Sequence, residues 1–69
     1  MSQVNATEIK VDILGGPPGG YGFRSGYWPV TYRGVSRKVF CSVPHSCDFP
    51  EQVKRVQQAA VGARIFEES

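Results

Sequence analysis

From Glu8 onward, apolar and polar residues alternate: Ile9, Val11 and Ile13 fall on one side of the chain, and Glu8, Lys10 and Asp12 on the other. A period of two marks a strand with one wet face and predicts a strand over residues 8–13. After Gly26 the chain reads YWPVTYRG, with Val30 and Tyr32 sharing one face and Thr31 and Arg33 the other. Pro29, which has no N–H, places this second strand at an edge or near its own start. In KVFCSV, residues 38–43, Val39, Cys41 and Val43 lie on one side, and Phe40 lies with the polar groups on the other. With a turn near Gly34, residues 28–33 and 38–43 form a hairpin.

The period then changes. Phe49, Val53, Val56, Ala60 and Ala63 recur at intervals of four, three, four and three, so at 100° per residue they form one narrow apolar stripe of a helix. Asp48 suits the N-cap, with Glu51 three places on and Pro50 in the first turn, where a missing amide loses no intrahelical bond. Gly62 is the expected C-cap, which leaves ARIFE as a short final strand or an extended tail on the sheet; a helix running on to Phe66 is the alternative.

These elements define an α+β fold, a small antiparallel three-stranded sheet with one C-terminal amphipathic helix packed on one face, with or without a short final strand. The expected core is Ile9, Val11, Ile13, Val30, Tyr32, Val39, Cys41, Val43, Phe49, Val53, Val56 and Ala60. Residues 1–7 are polar and unpatterned and read as a flexible N-terminus, with residues 8–69 as a single domain. Between the first two strands lies LGGPPGGYGFRSGYW, which holds six of the eight glycines and four of the eight aromatics. Its residues 15–26 read as a long, mobile Gly/Pro-rich loop, because prolines lacking amide donors and glycines of high unfolded-state entropy oppose regular structure.

At 69 residues there is room for one small core, and 41% hydrophobic against 20% charged residues is the balance of a folded chain. No apolar run reaches the roughly 18 residues of a membrane span, and MSQVNATEIK has neither the basic nor the apolar region of an export signal. The expected setting is cytoplasmic, where Cys41 and Cys47 are expected as free thiols; in an oxidising compartment a disulfide between them is the alternative. Net charge is +2, yet no acid lies between Asp12 and Asp48, while Arg24, Arg33, Arg37, Lys38 and His45 all do. That asymmetry suits an acidic partner or a nucleic acid, and equally the solvated face of an ordinary sheet.

Several chemistries can be weighed against this frame. A phosphate-gripping glycine loop needs a helix after it, whereas the residues following GYGFRSG are extended. The nearest spacing, that of the kinase glycine-rich loop, comes without a catalytic lysine, catalytic-loop or metal-binding Asp motif. Cys41, His45 and Cys47 make C-x3-H-x-C, three soft ligands within seven residues, but a structural zinc site takes four, and the second knuckle is absent. No Cys–His or carboxylate pair meets the needs of a nucleophile with an oriented base, so neither catalytic residues nor a cofactor are expected.

The aromatic and basic residues remain. Tyr21, Phe23, Tyr27 and Trp28, interleaved with Arg24, are residue types enriched at protein interfaces, and they also stack on bases. YRGVSRK at 32–38 resembles the opening strand of plant AP2 DNA-binding domains, and DFPEQVKRVQQAA at 48–60 is similar to their single packing helix. The resemblance implies a three-stranded sheet followed by a helix. The family's glycine–tryptophan stretch and its third strand before the helix are absent here, so its DNA-contacting residues have no counterparts.

The resulting expectation is a small non-catalytic binding protein that acts as a regulator or inhibitor by occupying a macromolecular partner's surface. An anti-CRISPR-type inhibitor encoded by a phage or mobile element is one example. The expected contact set is Tyr21, Phe23, Arg24, Tyr27, Trp28, Arg33, Arg37 and Lys38, the partner a protein, and the chain itself a monomer or homodimer. A nucleic-acid-binding module using the basic and aromatic sheet face and loop is the alternative.

Overall fold

A two-residue turn organises the molecule. Arg33 and Gly34 have φ of 50° and 81°, and two successive positive φ angles make the tight type I′ connection whose twist matches the strands it joins. The turn links two ten-residue strands, β2 (Phe23–Tyr32) and β3 (Val35–Pro44), paired in unbroken antiparallel register from Tyr32 with Val35 to Phe23 with Pro44. The computed structural model describes residues 4–67. A two-residue strand, β1 (Lys10–Val11), pairs with Thr31 and Val30 to give the sheet order β1-β2-β3. The single α-helix among the described residues, α1 (Phe49–Gly62), lies across one face. The architecture is therefore the expected α+β arrangement of three antiparallel strands and one C-terminal helix.

Alternation assigns each strand residue to a face. In β2, Trp28, Val30 and Tyr32 are buried under the helix; in β3, Val39 and Val43 join them, and Ile9, Val56 and Ala60 complete the core. Trp28 has no exposed surface, and its indole Nε1–H donates to the Cys41 carbonyl at 2.9 Å, so the largest core side chain has no unmet polar group.

Four sequence expectations change. First, residues 23–26 belong to β2, so the hairpin begins five residues before the predicted strand at 28, and the first strand shrinks from residues 8–13 to Lys10–Val11. Cross-strand pairing with β3 outweighs the weak strand propensity of the Ser25–Gly26 pair.

Second, part of the expected flexible N-terminus is structured. Asn5 caps a 3-10 turn at Ala6–Glu8 by accepting from the Thr7 amide at 3.1 Å, and Val4 packs against the core; residues 1–3 lie outside the described residues. Third, Phe49 leaves the core. It shares the angular stripe but stands in the first turn, 62% exposed, and the buried face of α1 runs instead through Gln52, Val56 and Ala60.

Fourth, Asp48 caps α1 as expected, accepting from the Glu51 amide at 3.0 Å, but Gly62 is the last helical residue and not the cap. The chain turns at Ala63 and Arg64, the latter with φ of 57°, and no final strand forms among the described residues. Phe66 folds back onto Tyr32 with ring centroids 5.4 Å apart, closing the core by packing instead of pairing.

Candidate functional site

The connection between β1 and β2 sits directly on Trp28. A Cβ on Gly16 would stand 2.5 Å from the indole ring, so only glycine allows the backbone this close. Arg24 holds the segment in place. Its Nε donates to the Pro17 carbonyl at 2.9 Å and its Nη2 to the Ile13 carbonyl at 3.0 Å, while Nη1 reaches Gln52 Oε1 on α1 at 3.4 Å. The guanidinium also lies over the Trp28 ring, 4.7 Å from its centroid, where the negative π face attracts a cation. One planar fork thus ties loop, sheet and helix together.

Gln52 is part of the same network. It is 7% exposed, and its Nε2 donates to the Cys47 carbonyl at 2.9 Å while its Oε1 accepts from Arg24. A buried amide with both ends engaged lets α1 press a polar residue into the core without loss. Gly16 and Pro17 pack down as a cover, whereas residues 18–22 are exposed and Tyr21 projects furthest, and residues 23–26 of the long loop expected for 15–26 belong to β2.

This geometry divides the expected contact set. Trp28 is wholly buried and Arg24 is committed to the cover, so neither side chain is available to a partner in this structure. Arg33 sits in the hairpin turn, its guanidinium 5.2 Å from the Tyr32 ring centroid and its Nε 3.8 Å from Glu8 in an exposed ion pair. Arg37, opposite Val30, belongs to the helix side of the sheet and is exposed. Phe23, Tyr27 and Lys38 come together on the other side.

That side is bare. Phe23, Tyr27 and Phe40 are 51%, 64% and 59% exposed, and no described element covers them. Tyr27 and Phe40 are direct cross-strand neighbours and meet edge to face, with centroids 5.7 Å apart and planes at 79°. A hydroxyl pair, Ser25 with Ser42 at 2.6 Å, separates these two rings from Phe23, and Thr31 with Ser36 at 3.3 Å continues the row toward the turn. Lys38 opposes Pro29 beside the rings. Phe40 was missing from the expected set, although the alternation in KVFCSV already put it on the polar side, where a ring has no core to enter.

The three soft ligands do not converge. The Cys41 thiol faces the helix and donates weakly to the Arg55 carbonyl at 3.9 Å, the His45 imidazole packs beside Gly19, and Cys47 gives its carbonyl to Gln52. Among the described residues no three His, Cys, Asp or Glu side chains group as a metal site would require. Burial pushes the Cys41 thiol above its ordinary value, and the nearby Arg55 cation opposes that shift.

A shallow hollow of about 260 Å³ beside the end of α1 is lined by Val4, Ala60, Val61, Arg64 and Glu67, and its two charges pair with each other at 3.8 Å. No described helix is long and apolar enough to cross a membrane. Comparison with protein-family models, curated proteins and solved structures finds no match for this chain. YRGVSRK, which suggested an AP2-type opening strand, in fact spans the β2–β3 turn.

Proposed function

We propose that this chain is a non-catalytic binding module, a regulator or inhibitor, that engages a protein partner through the open face of its hairpin. The observation that carries this reading is the row of Phe23, Tyr27 and Phe40 on one uncovered face, each more than half exposed, with the Ser25–Ser42 pair between Phe23 and the other two rings and Lys38, Thr31 and Ser36 beyond them toward the turn. Exposed rings interspersed with hydroxyls match the composition of protein interfaces, where aromatics desolvated on binding supply much of the energy.

The dispersal of the cations favours a protein over a nucleic acid. A single strand needs basic groups tracking its backbone beside the stacked bases. Here Arg24 is spent on backbone carbonyls, Arg37 belongs to the opposite side, Arg33 stands at the turn, and Lys38 is the cation beside the rings.

The test is affinity capture with the wild-type chain, a Phe23→Ser/Tyr27→Ser/Phe40→Ser variant and an Arg33→Gln/Arg37→Gln variant. A protein recovered by the wild type and by the arginine variant, and lost with the ring variant, supports the reading. Equal recovery by all three overturns it. Titration of single-stranded DNA and RNA at two salt concentrations decides the alternative, because phosphate contacts release counterions and make nucleic-acid affinity fall steeply with salt.

A further inference from the structure

The ten-residue strand β3 is the outer strand of the sheet, and its backbone chemistry points to a second copy of the chain. In a hairpin closed by a two-residue turn, Tyr32 and Val35 form the first pair that exchanges both backbone bonds, and every second pair follows: Val30 with Arg37, Trp28 with Val39, Gly26 with Cys41 and Arg24 with Val43. The Asp12 amide, donating to the Pro29 carbonyl at 3.1 Å, agrees with this phase, since it shows the odd-numbered residues of β2 turned toward β1. The amides and carbonyls of Ser36, Lys38, Phe40 and Ser42 therefore point away from the sheet. Among the described residues no backbone bond from another segment reaches them.

A long outer strand of this kind is a template for another strand unless something blocks it. The usual blocks are weak here: no proline interrupts β3 before Pro44, and the one charge among the four outward-facing residues is Lys38. We infer that the chain forms a two-fold dimer by antiparallel pairing of β3 with β3 of a second copy, centred on Val39, which yields one continuous six-stranded sheet.

Register singles out this arrangement. Only offsets that oppose outward-facing residues to one another can form the bonds. Centring on Val39 sets Ser36 against Ser42 of the second copy and Lys38 against its Phe40, so all four residues on each copy exchange both bonds. Moving the centre to Lys38 opposes two like charges directly. Moving it to Phe40 sets Ser36 against Pro44, which has no amide and whose carbonyl already accepts from Cys47 at 3.2 Å. The Val39-centred register also lays each Lys38 beside a Phe40 ring, an attractive cation–ring contact. It joins the two open faces into a single aromatic strip of Tyr27, Phe40 and their symmetry mates.

Sedimentation equilibrium of the full chain, from micromolar to millimolar concentration, tests the inference. The expected mass rises with concentration from 7.6 kDa to twice that value. A synthetic chain N-methylated at the Phe40 amide keeps every side chain and every β2 bond; its dimer dissociation constant is expected to weaken roughly a hundredfold, with the circular dichroism unchanged. Phe40→Glu, facing Lys38, should preserve the dimer, and Phe40→Lys should abolish it.

A chain monomeric at millimolar concentration overturns the inference. So does a dimer indifferent to N-methylation, or one that loses its affinity equally with Glu and Lys at position 40. The mass readout needs no other protein, so it stands or falls independently of the partner-capture result.

Discussion

The two faces of the β2–β3 hairpin carry the same kinds of residue and put them to opposite uses. On the helix side, Trp28 and Arg24 meet as ring and cation 4.7 Å apart, the ring wholly buried and the arginine half-buried, with the indole N–H and all three guanidinium nitrogens engaged inside the molecule. On the other side, Tyr27 and Phe40 meet as ring and ring with Lys38 close by, and all three are exposed. Adjacent residues, Tyr27 and Trp28, thus have different fates because one step along a strand reverses the face. The difference teaches that aromatic content alone does not mark a binding surface. What matters is whether a second layer covers the ring.

This contrast can be broken by substitution. The largest effect is expected for Trp28→Ala, which removes the main core side chain and should cost about 3–5 kcal/mol, close to the whole stability of so small a domain. Loss of the cooperative thermal transition in circular dichroism is the expected result. A variant that still melts near the wild-type temperature would mean that Trp28 does not anchor the core.

Next comes Arg24→Met, which keeps the aliphatic stem and deletes the fork. Leaving the Ile13 and Pro17 carbonyls and the Gln52 amide without their donor should cost about 2–3 kcal/mol. Arg24→Lys should recover less than half of that, since one ammonium cannot reach three divergent acceptors. Urea unfolding curves measure both, and full rescue by lysine would show that charge, and not geometry, holds the cover.

On the open side the expectation reverses. Tyr27→Ser with Phe40→Ser should destabilise by only about 0.5–1.5 kcal/mol, the scale of an aromatic pair, while removing the surface proposed for the partner. If this double variant unfolds the chain as Trp28→Ala does, the open face is part of the structural core, and the comparison fails.

The turn that sets the register offers a smaller change of opposite sign. Arg33 holds φ of 50°, where a side chain is strained, so Arg33→Gly should stabilise by about 0.5–1 kcal/mol, after a small loss from the exposed Glu8 pair. A drop in melting temperature would contradict the assigned turn.

The smallest effect concerns pH. Because burial raises the Cys41 pKa, the unfolded thiol ionises first; its contribution is intact below the ordinary value of 9.0 and is lost as pH rises through the folded value. Stability should fall more steeply at alkaline pH in the wild type than in Cys41→Ala. Parallel curves would show that the thiol is not desolvated.

Much of the fold was legible in local pattern. The alternation at Ile9, Val11 and Ile13, the hairpin about Gly34 and the Asp48 cap all express short-range chemistry that needs no knowledge of neighbours. The early start of β2 was hidden because Phe23–Gly26 have little strand character until β3 pairs with them. Phe49 misled for a related reason. Its angular position fits the stripe, but burial also depends on how far along the helix the sheet extends.

For the candidate site, the residue types were readable and their allocation was not. Phe23, Tyr27 and Lys38 of that set share the open face, whereas Arg24 and Trp28 are drawn inward by the Gly16–Pro17 segment folding over them. Gln52 shows the same limit from the other side, a polar residue whose burial depends on an arginine 28 positions away.

By itself, the sequence determined the periodicities, the positive-φ turn at Gly34, the capped helix start and the α+β class, because these follow from interactions within a few residues. Tertiary structure alone decided that the Gly16–Pro17 segment folds over the sheet, which took Trp28 and Arg24 out of the expected contact set and paired Arg24 with a buried Gln52. Strand alternation says which residues share a face, but only long-range packing says which of them a distant segment covers.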